Sequence, residues 1–450
     1  MHNKFNKLTW AVAVAAAAFA SQANAGGYQI NEQSVSGQGY GHAGRSSNVN
    51  DATIVFGNPA GMSFLDRAQL TAGGTYLNVN SRIRNAEATR SDPVVGTQPV
   101  EGTSEGNMVP GTLIPFAFYA HPVNEQLAFG FGVYAPFGSK TDYEDGFVGR
   151  NLGNYTELRV MSAQPTVSYR FNDQWAVGAG ITYNRVDGEL HRLVPAPGEA
   201  FGTEELDSRI EGDDDGWGYN LGVIFQPVPE TTLGLTYRSK VSYTLTGDFR
   251  ATALGNITDD FGTGQGDGLI APEGTVITRD AQLDLTTPET INFSVTQQMS
   301  ERLKLMAGAS WTRWSRFDEI RVIDPNDPGG DPITFEQQDY SNAWAYALGG
   351  EYQLNPQLAL RAGITLDFTP TSDEFRSARI PSDDRRIFSI GAGWTPVDDL
   401  TLDLAYSYLT ERSTHVDQER EDANGAITST YTADYKNEAH GFGAQLTYRF

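Results

Sequence analysis

The side chains able to do chemistry are sparse and scattered in this 450-residue sequence. Six histidines (His2, His42, His121, His191, His415, His440) fall in no H-E-x-x-H pattern, and no G-x-S-x-G stretch is present. With no cysteine, disulfides and thiolate metal sites are excluded. Two acidic runs, GDDDG at 212–216 and DPNDPGGD at 324–331, combine carboxylates with turn carbonyls in the way calcium favours. They read more readily as solvated outer loops, bridged by divalent ions to anionic neighbours. The remaining candidates act through the backbone. Pro110 and Pro115 in VPGTLIPFAF, and Pro136 with Gly138 in YAPFG, interrupt stretches that otherwise read as strand, and a proline has no N–H to give a β ladder. No catalytic residue, metal ligand or cofactor is assigned.

The elements that must position these residues start after a leader. Lys4 and Lys7 precede the short apolar run Leu8 to Ala20, and Ala23 to Ala25 reads ANA, a small-x-small cleavage site. Residues 1–25 are therefore expected to be a secretory signal peptide, because the apolar run is too short to span a bilayer. The formal charge is -24, and loss of the two leader lysines leaves the mature chain near -26. That balance argues against a nucleic-acid or anionic-lipid partner held by bulk charge. The chain has 48 Gly, 20 Tyr and 23 Phe against 6 Met, and no later apolar run reaches the length of a transmembrane helix.

Periodicity separates a secreted β protein from a membrane barrel. In LALRAGITLDF, Leu358 to Phe368, alternate residues Leu358, Leu360, Ala362, Ile364, Leu366 and Phe368 are apolar, and their neighbours are small or charged. LTLDLAYSY (400–408), FSIGAGW (388–394) and LGLTYR (233–238) repeat the pattern with aromatics toward the strand ends. A lipid-facing band with aromatic girdles explains that placement, and closure removes the unpaired edges that hydrocarbon forbids. Tight turns at 121–126, 170–174, 226–231, 299–302, 353–357 and 395–399 alternate with long polar segments near 81–111, 138–156, 191–213, 250–279, 324–335, 370–383 and 415–430. Short periplasmic turns and long outer loops of this kind predict an all-β transmembrane antiparallel barrel of about fourteen strands. The last strand, GFGAQLTYRF, puts Phe442, Ala444, Leu446, Tyr448 and the terminal Phe450 on one face. This resembles the signal read by the outer-membrane assembly machinery.

Before the first strand lies a polar, glycine-rich segment, AGGYQINEQSVSGQGYGHAGRSSNVNDATIVFGNPAGM, Ala25 to Met62. A periplasmic tail would leave Ile54, Val55, Phe56, Met62, Phe64 and Leu65 in water, so residues 26–66 are expected to be a hatch inside the lumen of a barrel formed by 67–450. In a closed barrel every strand has two neighbours. Prolines in the second and third strands therefore mark a wall with missing hydrogen bonds, where Gly138 can take a bend.

GGYQINEQSVSG, NPAGM and LTAGGTYL, then YAPFG, QPTVSYRFNDQWAVGAG, YRSKVSY, TTPETINFSV, WTRWSRFDEI, AWAYALGGEY, LRAGITLDFTP and IPSDDRR, taken in order, resemble the FadL family of outer-membrane long-chain fatty acid transporters. That family also includes the aromatic-hydrocarbon channels TodX and XylN. The resemblance implies a fourteen-strand barrel with an N-terminal hatch and a kinked third strand, with Gly138 at the kink, through which ligand leaves sideways into the membrane. It places Tyr28 where the family has a phenylalanine that inserts into the ligand pocket. Asn58, Pro59 and Ala60 match its hatch motif, and the asparagine is expected to bond the kinked strand. Arg192 in GELHRLV falls where a cation binds the ligand carboxylate, a role suited to a bidentate guanidinium. Where a second cation is expected, the chain reads FEQQDYS with Glu336 and no Lys or Arg, which leaves a neutral aromatic or alkane substrate open.

The reading is an outer-membrane, multi-pass, monomeric uptake channel for long-chain fatty acids, with hydrocarbon uptake as the alternative. Its other partners are outer-membrane lipid and lipopolysaccharide, and the assembly machinery at Leu446, Tyr448 and Phe450. A general porin conflicts with the hatch. An outer-membrane lipase is the enzymatic alternative, with His415 its only candidate by depth and no serine partner evident.

Overall fold

The computed structural model describes residues 27–92, 96–195, 205–258, 269–421 and 427–450. The leader at 1–25 lies outside these. Fourteen antiparallel strands form the wall. They are β1 (Gln69–Asp92), β2 (Thr112–Pro122), β3 (Leu127–Asp142), β4 (Tyr155–Arg170), β5 (Trp175–Pro195) and β6 (Glu205–Val228). Three further strands run in two segments each: β7 (Thr231–Arg238, Val241–Ala253), β8 (Val276–Thr287, Thr290–Gln298) and β9 (Leu303–Thr312, Glu319–Ile323). They are followed by β10 (Thr334–Gln337, Ala343–Asn355), β11 (Leu358–Asp367), β12 (Arg385–Val397), β13 (Leu400–Glu411, Thr414–Glu421) and β14 (Ile427–Arg449). β14 closes the cylinder on β1 from Gln69↔Arg449 to Arg90↔Ser429. Closure leaves no free sheet edge for lipid to meet.

The alternation expected for β11 is present: Leu360, Ile364 and Leu366 face out, whereas Arg361 is buried in the lumen. Leu446, Tyr448 and Phe450 also face outward along the β14–β1 seam. There the Phe450 amide donates to Ala68 O at 2.9 Å, and the Phe450 ring meets Tyr119 at 6.3 Å. The outer ends differ from the sequence expectation. Much of what reads as loop is strand: β1 continues to Asp92, and β5 and β6 reach Pro195 and Glu205. GDDDG lies inside β6, where Arg185 of β5 pairs with Asp213 at 2.7 Å and Asp215 at 3.3 Å. Within GDDDG both strand faces are small or acidic, so pairing persists while the apolar alternation that reveals it disappears. Among the described residues no group of three or more His, Asp or Glu is placed to hold a metal ion.

Residues 27–66 fold inside the cylinder as two short helices, α1 (Val35–Gly39) and α2 (Ile54–Gly57), and a 3-10 turn, Pro59–Phe64. Ser34 caps α1 by accepting from the Gly37 amide at 3.0 Å. The hatch is fastened by polar bonds to the wall. Ser46 bonds Gly234 O at 2.9 Å and Ser294 Oγ at 2.8 Å, and the Gln445 side chain accepts from the Val35 amide at 3.0 Å. The wall is glycine where the hatch backbone touches it: a Cβ at Gly178 would collide with Pro59 and Ala60, and one at Gly222 with Asn58.

Candidate functional site

The β2–β3 ladder stops partway up the wall. β2 and β3 pair only from Pro122↔Ala128 to Ala117↔Val133. Beyond Val133 they separate. On its other side β3 stays paired to β4, but the register jumps between Tyr134↔Ser162 and Phe137↔Val160, so Ala135 and Pro136 oppose Met161 alone. This is a β-bulge, which bends the strand. Pro115 lies in the part of β2 that no longer faces β3, paired with Gly74 of β1. Pro110 precedes β2 rather than lying within it, and β3 runs through Gly138 to Asp142 rather than ending at the bend.

The hatch takes the place of β2 along this gap. The Ile30 amide donates to Pro136 O at 2.9 Å, and the Gly138 amide donates to Tyr28 O at 2.8 Å. The Gln33 side chain donates to Ala135 O at the bulge. Ile30 belongs to the same buried apolar cluster as Ile114 and Ala135. Tyr28, two residues earlier, packs among Trp314, Phe317 and Phe137, with ring centroids at 4.8, 5.2 and 5.9 Å. Gly27 makes the entry: its φ is 66°, and a Cβ there would strike the Trp314 indole. Tyr28 is 1% exposed and its hydroxyl has no partner. Burial pushes the phenol well above its ordinary pKa, so it stays neutral.

Tyr28 and Phe317 form part of the lining of a cavity of about 80 Å³, with Leu158 of β4, Leu190 of β5, Ile210 of β6 and Leu245 of β7. The lining is almost wholly apolar. An apolar cavity of about 150 Å³ takes benzene, so this one admits only part of a hydrophobe until a ring withdraws. Arg192 is not in the lining. It sits one inward position beyond Leu190, donates to Ile333 O at 3.3 Å, and leaves its buried Nε without a partner.

The cation that does line the cavity, Arg379, belongs to the connection after β11, whose residues Arg376 to Ile380 are buried. All five of its N–H donors are engaged. Nε bonds Glu336 at 3.2 Å; Nη1 bonds Tyr155 O and Thr156 Oγ1; Nη2 bonds Leu152 O and His191 O. Sequence reasoning passed over Arg379, which immediately precedes the IPSDDRR stretch. Its role depends on folding that connection inward, which no local pattern reports.

Asn58 is placed differently from expectation. Its amide donates to Ser46 O at 2.7 Å and to Val223 O of β6 at 3.0 Å, and its oxygen accepts from the Ala60 amide at 3.1 Å. It therefore fastens the hatch to β6 and not to the kinked strand; Gln33 and the Tyr28–Ile30 backbone make bonds to β3. Ala60 O accepts from Ser168 Oγ at 2.9 Å.

A β cylinder with its N-terminal segment folded inside, an apolar chamber and a break in one ladder is the architecture of a transport barrel. The family model for outer membrane protein transport proteins (OMPP1/FadL/TodX) matches residues 16–450, and the chain belongs to that family. It is similar to outer membrane protein P1 of Haemophilus influenzae, with 29% identity over 99% of this chain and 100% of that protein. It is also similar to the long-chain fatty acid transport protein of Escherichia coli K12, with 26% identity over 98% of each chain. Among solved structures, a Pseudomonas aeruginosa FadL homologue superposes with a TM-score of 0.82 at 25% identity, covering 94% of this chain and 99% of that one. The Pseudomonas putida toluene transporter TodX shares the fold, with a TM-score of 0.61 at 17% identity over 92% and 99% of the two chains.

Proposed function

We propose that this outer-membrane protein takes up long-chain fatty acids by a lateral route: ligand enters the apolar cavity, displaces Tyr28, and leaves between β2 and β3 into the membrane. The observation that carries this reading is the stretch of β3 beyond Val133, whose ladder partner is the removable hatch segment Tyr28–Ile30 instead of β2. Because Tyr28 and Ile30 share one short extended segment, withdrawing the first from the cavity draws the second out of the gap. The orphaned Nε of Arg192 supports a carboxylate at the outer end of the cavity, since an unpartnered buried N–H is costly until a ligand satisfies it. The name of the similar E. coli transporter points the same way.

A neutral aromatic or alkane hydrocarbon is the second reading. It is favoured by the saturation of Arg379 and by Glu336 standing where a second cation would be needed. Mass spectrometry of hydrophobes extracted from the purified barrel separates the two substrates. The route is tested by Pro136→Val with Gly138→Val, which restores ladder donors and stiffens the bend. Uptake of a labelled fatty acid should be lost while the barrel still assembles, and undiminished uptake would overturn the lateral exit.

A further inference from the structure

We propose that the outer ends of β12, β13, β14 and β1 form a docking surface for the phosphate groups of the outer-leaflet glycolipid. The chain is strongly acidic, yet five cations gather on this wall. Arg82 and Arg84 project outward from β1, Lys436 from β14 and Arg386 from β12, with Arg412 exposed directly after the first segment of β13. Register places Arg82 directly opposite Lys436, and like charges directly opposed on a sheet repel. Among the described residues Arg82, Arg84, Arg386 and Arg412 make no ion pair, and Arg82 reaches only the Asn80 side-chain amide, 3.2 Å away. The acids nearby are mostly spoken for: Glu438 pairs with Lys436 at 3.3 Å, and Asp434 is held by Asn85 at 2.8 Å and His415 at 2.9 Å. Glu87 of β1 and Asp417, Glu419 and Glu421 of β13 remain as exposed carboxylates further out.

The height of the patch matches its proposed partner. One layer toward the membrane the same strands carry an aromatic row, Phe388↔Tyr408 and Tyr408↔His440, and below it Tyr406↔Phe442 and Phe442↔Tyr76. Such rings mark the boundary of the hydrocarbon. Arg386 is two residues beyond Phe388 and Lys436 four beyond His440, hence roughly 7–13 Å further out at about 3.3 Å per residue, where long side chains reach a phosphate layer. The arrangement is one-sided. Across β4 to β8 the corresponding outward row reads Glu157↔Glu189↔Glu211↔Asp248↔Asp280, all acidic. Further out on that wall Arg209 stands opposite Arg250, but those cations sit among acids, Arg209 paired with Asp207 at 2.8 Å and Arg185 with Asp213 at 2.7 Å. Arginine pairs and Arg–Lys pairs are well matched to phosphate oxygens.

The test uses the full-length barrel purified in detergent, with EDTA present so that divalent bridging through acids is removed. Native mass spectrometry measures retention of bisphosphorylated lipid A and of lipid A stripped of its phosphates. The parent chain should retain the first and release the second. Arg82→Gln with Arg386→Gln and Lys436→Gln should weaken retention about a hundredfold, each cation being worth roughly fivefold at an anionic surface. All three side chains are outward, so the melting temperature should be unchanged. A control triple on the other wall, Arg209→Gln with Arg250→Gln and Arg321→Gln, should retain the lipid like the parent. Equal retention by the parent and the first triple, equal retention of the dephosphorylated lipid, or equal loss in the control would each overturn the proposal. Inorganic phosphate binding as tightly as the lipid would overturn its assignment to a membrane glycolipid.

Discussion

Replacing Tyr28 in two ways gives opposite outcomes if its ring is a gate. In the closed position the ring makes three edge-on aromatic contacts, with Trp314, Phe317 and Phe137, worth roughly 0.5–1.5 kcal/mol each, and its burial adds about 2 kcal/mol. The buried hydroxyl without a partner opposes closure, by about 1–3 kcal/mol. Central values leave roughly 3 kcal/mol holding the gate shut, which ligand must overcome, so apparent affinity is reduced by a factor on the order of 100. Tyr28→Ala removes this reduction, and a fluorescent long-chain fatty acid should bind the purified barrel tens- to hundredfold more tightly. Tyr28→Phe removes only the opposing hydroxyl, so closure strengthens and apparent affinity should fall by about thirtyfold. Equilibrium titration of both variants in detergent decides the matter. If alanine weakens binding, the ring is part of the ligand surface; if phenylalanine tightens it, the hydroxyl is not strained in the closed state. Either result refutes the gate.

Arg238 donates to Tyr134 Oη and Phe56 O, both at 3.0 Å, with its guanidinium 4.0 Å from the Phe56 ring centroid. It ties β3 just before the bulge to the hatch, so Arg238→Met should slow fatty acid uptake several-fold while equilibrium binding stays near the parent value. Asn58→Ala removes three hydrogen bonds that hold the hatch, a loss of about 2–4 kcal/mol, and should raise ion conductance in planar bilayers; unchanged conductance would show the hatch is held otherwise. Arg361 bridges Glu351 at 2.7 Å and Asp403 inside the lumen. Arg361→Met leaves the buried Asp403 without its cation, while Glu351 keeps Lys304 at 3.1 Å, and should cost about 3–5 kcal/mol, read as a lower melting temperature of the detergent-solubilised barrel. Deleting Phe450 removes the ring that closes on Tyr119 at the seam and should slow assembly, measured as delayed heat-modifiability on gels.

Much of the cylinder was legible because each strand crosses two solvents. Leu360, Ile364 and Leu366 meet lipid while Arg361 meets the lumen, so identity alternates at period two and can be read within ten residues. Turn chemistry then supplied the strand number. The bend was half legible: Pro136 and Gly138 announce a defect, but not that the register slips at Ala135–Pro136 or that β3 continues to Asp142. The acidic GDDDG stretch misled because a strand polar on both faces carries no alternation.

The membrane class, the approximate number of strands and the presence of a stopper were determined by the sequence alone, since each rests on composition or on spacing between near neighbours. The occupant of the gap, the partner of Asn58 and the choice between Arg192 and Arg379 were decided only by the tertiary structure. Those contacts join residues separated by one to two hundred positions, such as Ile30 with Pro136, Asn58 with Val223 and Arg379 with His191. They exist because closing the barrel sets every strand's height and direction at once, and no local pattern encodes that shared constraint.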